Sequence, residues 1–166
     1  MLFSFYCQCS GLESDSWTQC IMADEPLSKG NNYFEINLIH PPEDGDGIGI
    51  LLKTDQMPYR PGWDFGSIGY HAKDGGLYNQ CQTTELCTAT CKEGDTMGCG
   101  IDYTTAKDGY IFVWFTKNNH LVSYPQKLDF PSFSKPTFHP LYHCHTHGAV
   151  TYEKPFQKTP GTSKLL

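Results

Sequence analysis

The sequence predicts an all-β protein built as a sandwich or barrel, on three observations. Sixteen glycines and eleven prolines are dispersed through 166 residues, so long uninterrupted helices have no room to form. Short apolar stretches repeat with a period of two or as continuous β-rich runs, and turn-forming clusters separate them. With 39% hydrophobic and 14% aromatic residues, the chain has the material for one domain with a real core.

The strands follow in chain order. Residues 1–18 show no sustained periodicity and read as a loosely ordered tail. A short strand is expected over 19–23. Over 33–39, Phe34, Ile36 and Leu38 share one face while Glu35 and Asn37 take the other, the pattern of a half-buried strand. Pro41-Pro42 ends it, and Glu43-Asp44-Gly45-Asp46-Gly47 forms a turn. Ile48-Gly49-Ile50-Leu51-Leu52 is nearly continuous in apolar character, as an interior strand would be, and its closeness to the preceding strand predicts a hairpin between the two. Further strands are expected over 66–71, 96–101, 110–116, 141–144 and 149–152, giving seven or eight in all. Asn118-Asn119 tolerates the positive φ of a type I′ turn and returns the 110–116 strand into Leu121-Val122. Gly98 and Gly100 inside a strand imply close approach of another group, such as Trp114 or Tyr70.

Charge and cysteine usage narrow the function classes. Twelve Lys plus Arg against eighteen Asp plus Glu give a net charge of −6, and Arg60 is the only arginine, so nucleic acid is not expected as a partner. No apolar run approaches the roughly 20 residues of a membrane-spanning helix, which predicts a soluble chain without a membrane partner. The apolar start lacks a basic residue before Lys29 and a small-residue cleavage site, so no signal peptide is expected. The eight cysteines are accordingly read as mostly reduced, several of them as small buried hydrophobes, in a cytoplasmic protein to which the nucleus is also open.

Seven ordered motifs carry a resemblance. Asn32-Tyr33-Phe34-Glu35-Ile36, Ile48-Gly49-Ile50, Pro61-Gly62-Trp63, Gly66-Ser67-Ile68-Gly69-Tyr70-His71, Asp74-Gly75-Gly76-Leu77-Tyr78, Gly94-Asp95-Thr96-Met97-Gly98-Cys99-Gly100-Ile101 and Phe115-Thr116-Lys117-Asn118 occur in the order of a SPRY domain. The chain resembles that family over 19–156, between the 1–18 tail and a flexible 157–166 tail, and is most similar to its SPRY domain-containing protein 3 and Ran-binding-protein M types. It departs from the family at Asn118-Asn119, where Asn-Gly is usual, and at Val150-Thr151-Tyr152-Glu153. The resemblance implies a bent antiparallel two-sheet β-sandwich of the concanavalin-like jelly-roll type. It also implies a non-catalytic interaction module without a cofactor, which binds a protein or short peptide through its connecting loops as an adaptor or substrate-recognition unit. A place in a ubiquitin-ligase assembly would require flanking domains.

The candidate site residues fall in three loops, 53–63, 78–92 and 142–148. In the first, Tyr59 and Arg60 belong to the types enriched at interface hot spots, while Pro61 and Trp63 are read mainly as packing under the sandwich edge. Tyr78, followed by Asn79, matches the position at which peptide-binding SPRY modules line their pocket; the alternative is a half-buried strand tyrosine. His143 and His145 are the candidates in the third loop. His143, Cys144, His145 and His147 are dense in metal-ligating types, so a metal-binding or redox-sensing domain is the alternative function. Cys81, Cys87, Cys91 and Cys99 lack the paired Cys-x-x-Cys spacing of structural zinc. His71 with Asp74, or Cys144 with a neighbouring histidine, would be needed for catalysis, and neither pair is favoured by its spacing.

Overall fold

A computed structural model describes residues 2–5, 19–52, 59–86, 89–131, 136–144, 150–153 and 164–165. Among the described residues fourteen strands form two sheets, and the only helical turn is a 3₁₀ turn at Ala106–Asp108. The first sheet contains β1 (Leu2–Phe5), β3 (Tyr33–Asn37), β8 (Thr96–Asp102), β9 (Tyr110–Lys117), β10 (His120–Leu121), β11 (Gln126–Asp129), β13 (Val150–Glu153) and β14 (Lys164–Leu165). Its order is β1-β13-β3-β8-β9-β10-β14, with β11 also pairing β9. The second sheet contains β2 (Gln19–Met22), β4 (Gly47–Leu52), β5 (Ser67–His71), β6 (Gly76–Asn79), β7 (Gln82–Leu86) and β12 (Phe138–Cys144), in the order β2-β12-β4-β5-β6-β7. Every pairing is antiparallel except the two-residue contact of β10 with β14.

The core lies between the sheets and is built by strand alternation. Phe34 and Ile36 of β3, Met97, Cys99 and Ile101 of β8, and Ile111, Val113 and Phe115 of β9 point inward from one sheet. Ile48 and Ile50 of β4, Ile68 and Tyr70 of β5, and Leu77 of β6 answer them from the other. Since Phe34 and Ile48 meet in this core from opposite layers, β3 and β4 are not a hairpin, contrary to the expectation from their proximity in sequence. The segment 38–46, with Pro41-Pro42 and the Asp46 turn, carries the chain across from one sheet to the other. β3 instead pairs with β8 and β13, and β4 pairs with β5 and β12.

The β9–β10 turn follows the sequence expectation: Asn118 and Asn119 have φ of 48° and 67°. Asn118 also ties the turn down, since its Oδ1 accepts from Thr96 N at 2.8 Å and its Nδ2 donates to Asp95 Oδ1 at 2.8 Å. Gly100 makes room for the Trp114 ring, and Gly98 lies against Tyr33 and Thr116. Two segments that the sequence leaves as tails each contribute a strand. β1 adds to β13 and β14 to β10, because edge strands offer unpaired backbone groups to any extended segment that reaches them.

None of the described cysteines, Cys20, Cys81, Cys91, Cys99 and Cys144, is in a disulfide. Burial pushes Cys99 well above the usual thiol range, consistent with a role as a small core residue.

Candidate functional site

The face of the second sheet that turns away from the core carries an unusual series of small residues. Alternation places Ser67, Gly69 and His71 of β5 on this face, and the register sets Gly49 and Tyr78 beside Gly69, and Gly47 beside His71. The glycines leave a trough, and Pro61 and Gly62 of the β4–β5 connection lie in it. A Cβ on Gly49 would stand 3.0 Å from Pro61 Cβ, and one on Gly69 would stand 2.5 Å from the Pro61 carbonyl carbon and 2.6 Å from its oxygen. Gly62, at φ +84°, passes so close to Tyr78 that a side chain there would meet Tyr78 Cβ at 2.6 Å.

Backbone hydrogen bonds hold this connection in place. The Nε2–H of His71 donates to Pro61 O at 2.9 Å; a carbonyl can only accept, so this nitrogen carries the proton. Gly62 N donates to Ser67 Oγ at 2.8 Å, and that hydroxyl donates to Ile50 O at 3.1 Å. Cys81 N donates to Gly62 O at 2.8 Å, its thiol donates to Trp63 O at 2.6 Å, and Gln80 Oε1 accepts from Gly66 N at 3.3 Å. Residues 59–66 of the connection therefore form a fixed shelf on the sheet.

Its side chains form an exposed aromatic platform. Tyr59 is 60% exposed, Trp63 41% and Phe65 67%. The Tyr59 and Trp63 rings meet edge-on with centroids 6.4 Å apart, Trp63 lies 6.0 Å from Tyr78, and Tyr78 lies 4.1 Å from the His71 ring. The Arg60 guanidinium sits 5.3 Å from the Tyr59 centroid and 5.6 Å from that of Trp63. Tyr78 OH donates to Asp74 Oδ2 at 2.7 Å, and this bond, with burial second, pushes the phenol up to about 12. Burial pulls His71 below the ordinary histidine value, outweighing the hydrogen bond to Pro61 and the Asp74 charge, which favour the cation.

The structure brings together Tyr59, Arg60 and Tyr78, and adds Trp63, while Phe65 is exposed in the same connection. Trp63 does not pack under the edge of the sandwich; it is a central member of the exposed row. Pro61 is buried, as its reading as a packing residue requires. Asn79 has a different position: its Nδ2 donates to Lys127 O of β11 at 2.8 Å, joining the two sheets. The expected 78–92 loop is largely a hairpin, β6 to β7, turning on Gln80 and Cys81 at φ of 51° and 69°. Gln-Cys is no turn signature; these residues hold left-handed geometry because Ser67 O and Gly62 O accept from their N–H groups.

His143 is in β12 and only 2% exposed, with Nδ1 3.7 Å from Asp46 Oδ1, so it lies in the sheet and not in a loop. Cys144 is also buried and, as the next residue of the strand, points to the opposite face. His145 and His147 lie outside the described residues, as do 53–58 and Cys87. Among the described residues, no three His, Cys, Asp or Glu side chains converge as a metal site would require. Cys20, opposite His143 in the register, is no activated nucleophile: burial, then the Asp64 charge, push its thiol up to about 12. His71 and Asp74 are engaged with Pro61 and Tyr78, and not with each other as an acid–base pair.

The family model of the SPRY domain matches residues 31–153. The chain belongs to the SPRY domain family. Human SPRY domain-containing protein 3 is 34% identical over 104 residues, covering 62% of this chain and 24% of that protein. Ran-binding protein 9 of Danio rerio is 33% identical over 96 residues, covering 57% of this chain and 15% of that protein. The chain thus matches a quarter or less of the length of these curated relatives. A crystal structure of a human SPRY domain superposes with a TM-score of 0.69 at 27% identity, covering 84% of this chain and 85% of that one. The SPRY domain of human HERC1 superposes at 0.58 with 14% identity, over 86% and 84% of the two chains, and shows the shared fold. SPRY domains are in general protein-interaction modules. No helix among the described residues is long and apolar enough to cross a membrane.

Proposed function

We propose that this SPRY domain is a non-catalytic module that binds a peptide or protein partner on the aromatic platform of Tyr59, Arg60, Trp63 and Tyr78. One observation carries the reading. Large side chains of the types that dominate interface energetics stand exposed on a backbone shelf fixed by the trough and its hydrogen bonds. Because the shelf is preformed, binding orders only a few side chains, and most of the contact energy is retained as affinity. Cys99, buried in the core as a small hydrophobe, fits a reducing compartment, and we place the module in the cytoplasm as an adaptor or substrate-recognition unit.

The test is affinity capture with wild type beside a Tyr59→Ala/Tyr78→Ala variant, both first shown to be folded by circular dichroism. Partners retained by wild type and lost by the folded variant support the platform. Identical capture profiles remove it as the binding face.

A further inference from the structure

We propose that the platform takes a basic segment: a short stretch of a partner protein carrying Lys or Arg beside an apolar or aromatic anchor. This rests on the platform being the binding face, and it follows from the charges that rim it. Arg60 lies against the Gly45 turn, close enough that a Cβ on Gly45 would meet its guanidinium at 2.8 Å, and Asp44 and Asp46 flank that glycine. Glu43 opens the same turn, its N–H bound to Asp46 Oδ2. Asp64 lies within the shelf itself, its Oδ2 accepting from Tyr59 N at 3.0 Å, and Asp74 holds the Tyr78 hydroxyl. Among the described residues, two cations, Arg60 and Lys73, stand beside these five carboxylates.

Lys73 is committed to Asp44 at 2.8 Å, and Asp46 is buried beside His143. Glu43, Asp64 and Asp74 have no lysine or arginine within ion-pair distance among the described residues. Arg60 already shows what the rings accept, since its guanidinium stands over two of them. A partner cation would meet the ring faces that Arg60 leaves open, with carboxylates that have no ion-pair partner among the described residues to receive it, while an adjoining apolar side chain covers Trp63. An acidic segment would face like charge there, on a chain whose net charge is already −6.

Fluorescence polarisation decides the matter with three labelled peptide pools that share one aromatic–aliphatic anchor pair, flanked by Lys/Arg, by Asp/Glu or by Ser/Asn. The basic pool should bind about tenfold tighter than the neutral pool at ~0.1 M salt, and about tenfold weaker at ~0.5 M than at ~0.05 M. The variant Glu43→Gln/Asp44→Asn/Asp64→Asn, which keeps a side-chain oxygen for Tyr59 N, should lose that preference with its melting temperature unchanged. Equal or tighter binding of the neutral or acidic pool, still abolished by Trp63→Ala, overturns the charge assignment and leaves the platform standing. Basic-pool binding that survives both Trp63→Ala and Tyr59→Ala overturns the platform as well, and no binding by any pool overturns the proposal.

Discussion

Replacing Gly69 with Ala should both destabilise the fold and displace the binding shelf. The added methyl would stand 2.5 Å from the Pro61 carbonyl carbon, whereas ordinary contact begins near 3.4 Å, so the shelf must rise by about 1 Å or the sheet must deform. A rise of that size stretches three bonds past hydrogen-bonding range: His71 Nε2 to Pro61 O, Gly62 N to Ser67 Oγ, and Cys81 N to Gly62 O, at 2.9, 2.8 and 2.8 Å. At about 1 kcal/mol each, the loss is about 3 kcal/mol, and overpacking without a rise costs a similar amount, about 1–3 kcal/mol. For a chain of this length that corresponds to a fall in Tm of roughly 6–12 °C. Thermal unfolding followed by circular dichroism measures it, and amide spectra of Gly62 and Trp63 report the displacement. Gly30→Ala is the control, since a Cβ there meets nothing within 4 Å. If Gly69→Ala matched Gly30→Ala in Tm and left the Gly62 amide unmoved, the trough would not be what seats the shelf.

Two further predictions concern fold and pH. Asn118→Ala removes an acceptor for Thr96 N and a donor to Asp95 Oδ1 and places alanine at positive φ, so chemical denaturation should show a loss of about 2–3 kcal/mol. His71 is held below its ordinary value of 6.5 in the folded state, so the unfolded chain takes up its proton first as pH falls. The stability that His71 contributes is therefore complete above about pH 6.5 and declines below it, until the folded state is protonated as well. Tm measured from pH 7.5 down to 5.5 should fall less steeply in His71→Gln, which keeps an N–H for Pro61 O; an unchanged slope would remove His71 as the source.

The strands that bury one or both faces were legible because burial imposes a pattern on the chain itself. The alternation of Phe34, Ile36 and Leu38, the apolar run at Ile48, and the filled 110–116 segment correspond to β3, β4 and β9. Local turn chemistry was equally readable at Asn118-Asn119, where the side chains tolerate the required φ. The β6–β7 hairpin was not: β7 is polar and edge-lying, and its Gln80-Cys81 turn is stabilised by carbonyls from the shelf and from the start of β5.

The candidate site divides in the same way. Tyr59, Arg60 and Tyr78 stood out by residue type and by resemblance, since hot-spot chemistry resides in single side chains. That Trp63 joins them, that Asn79 instead ties β6 to β11, and that His143 lies buried beside Asp46 followed only from the register of strands far apart in sequence. By itself, the sequence determined the β class, the strand-by-strand core and the aromatic character of the β4–β5 connection, because each depends on neighbours along the chain. Only the tertiary structure set Gly49 beside Gly69 and laid Pro61 across them, since a trough exists only where separate strands align their missing side chains.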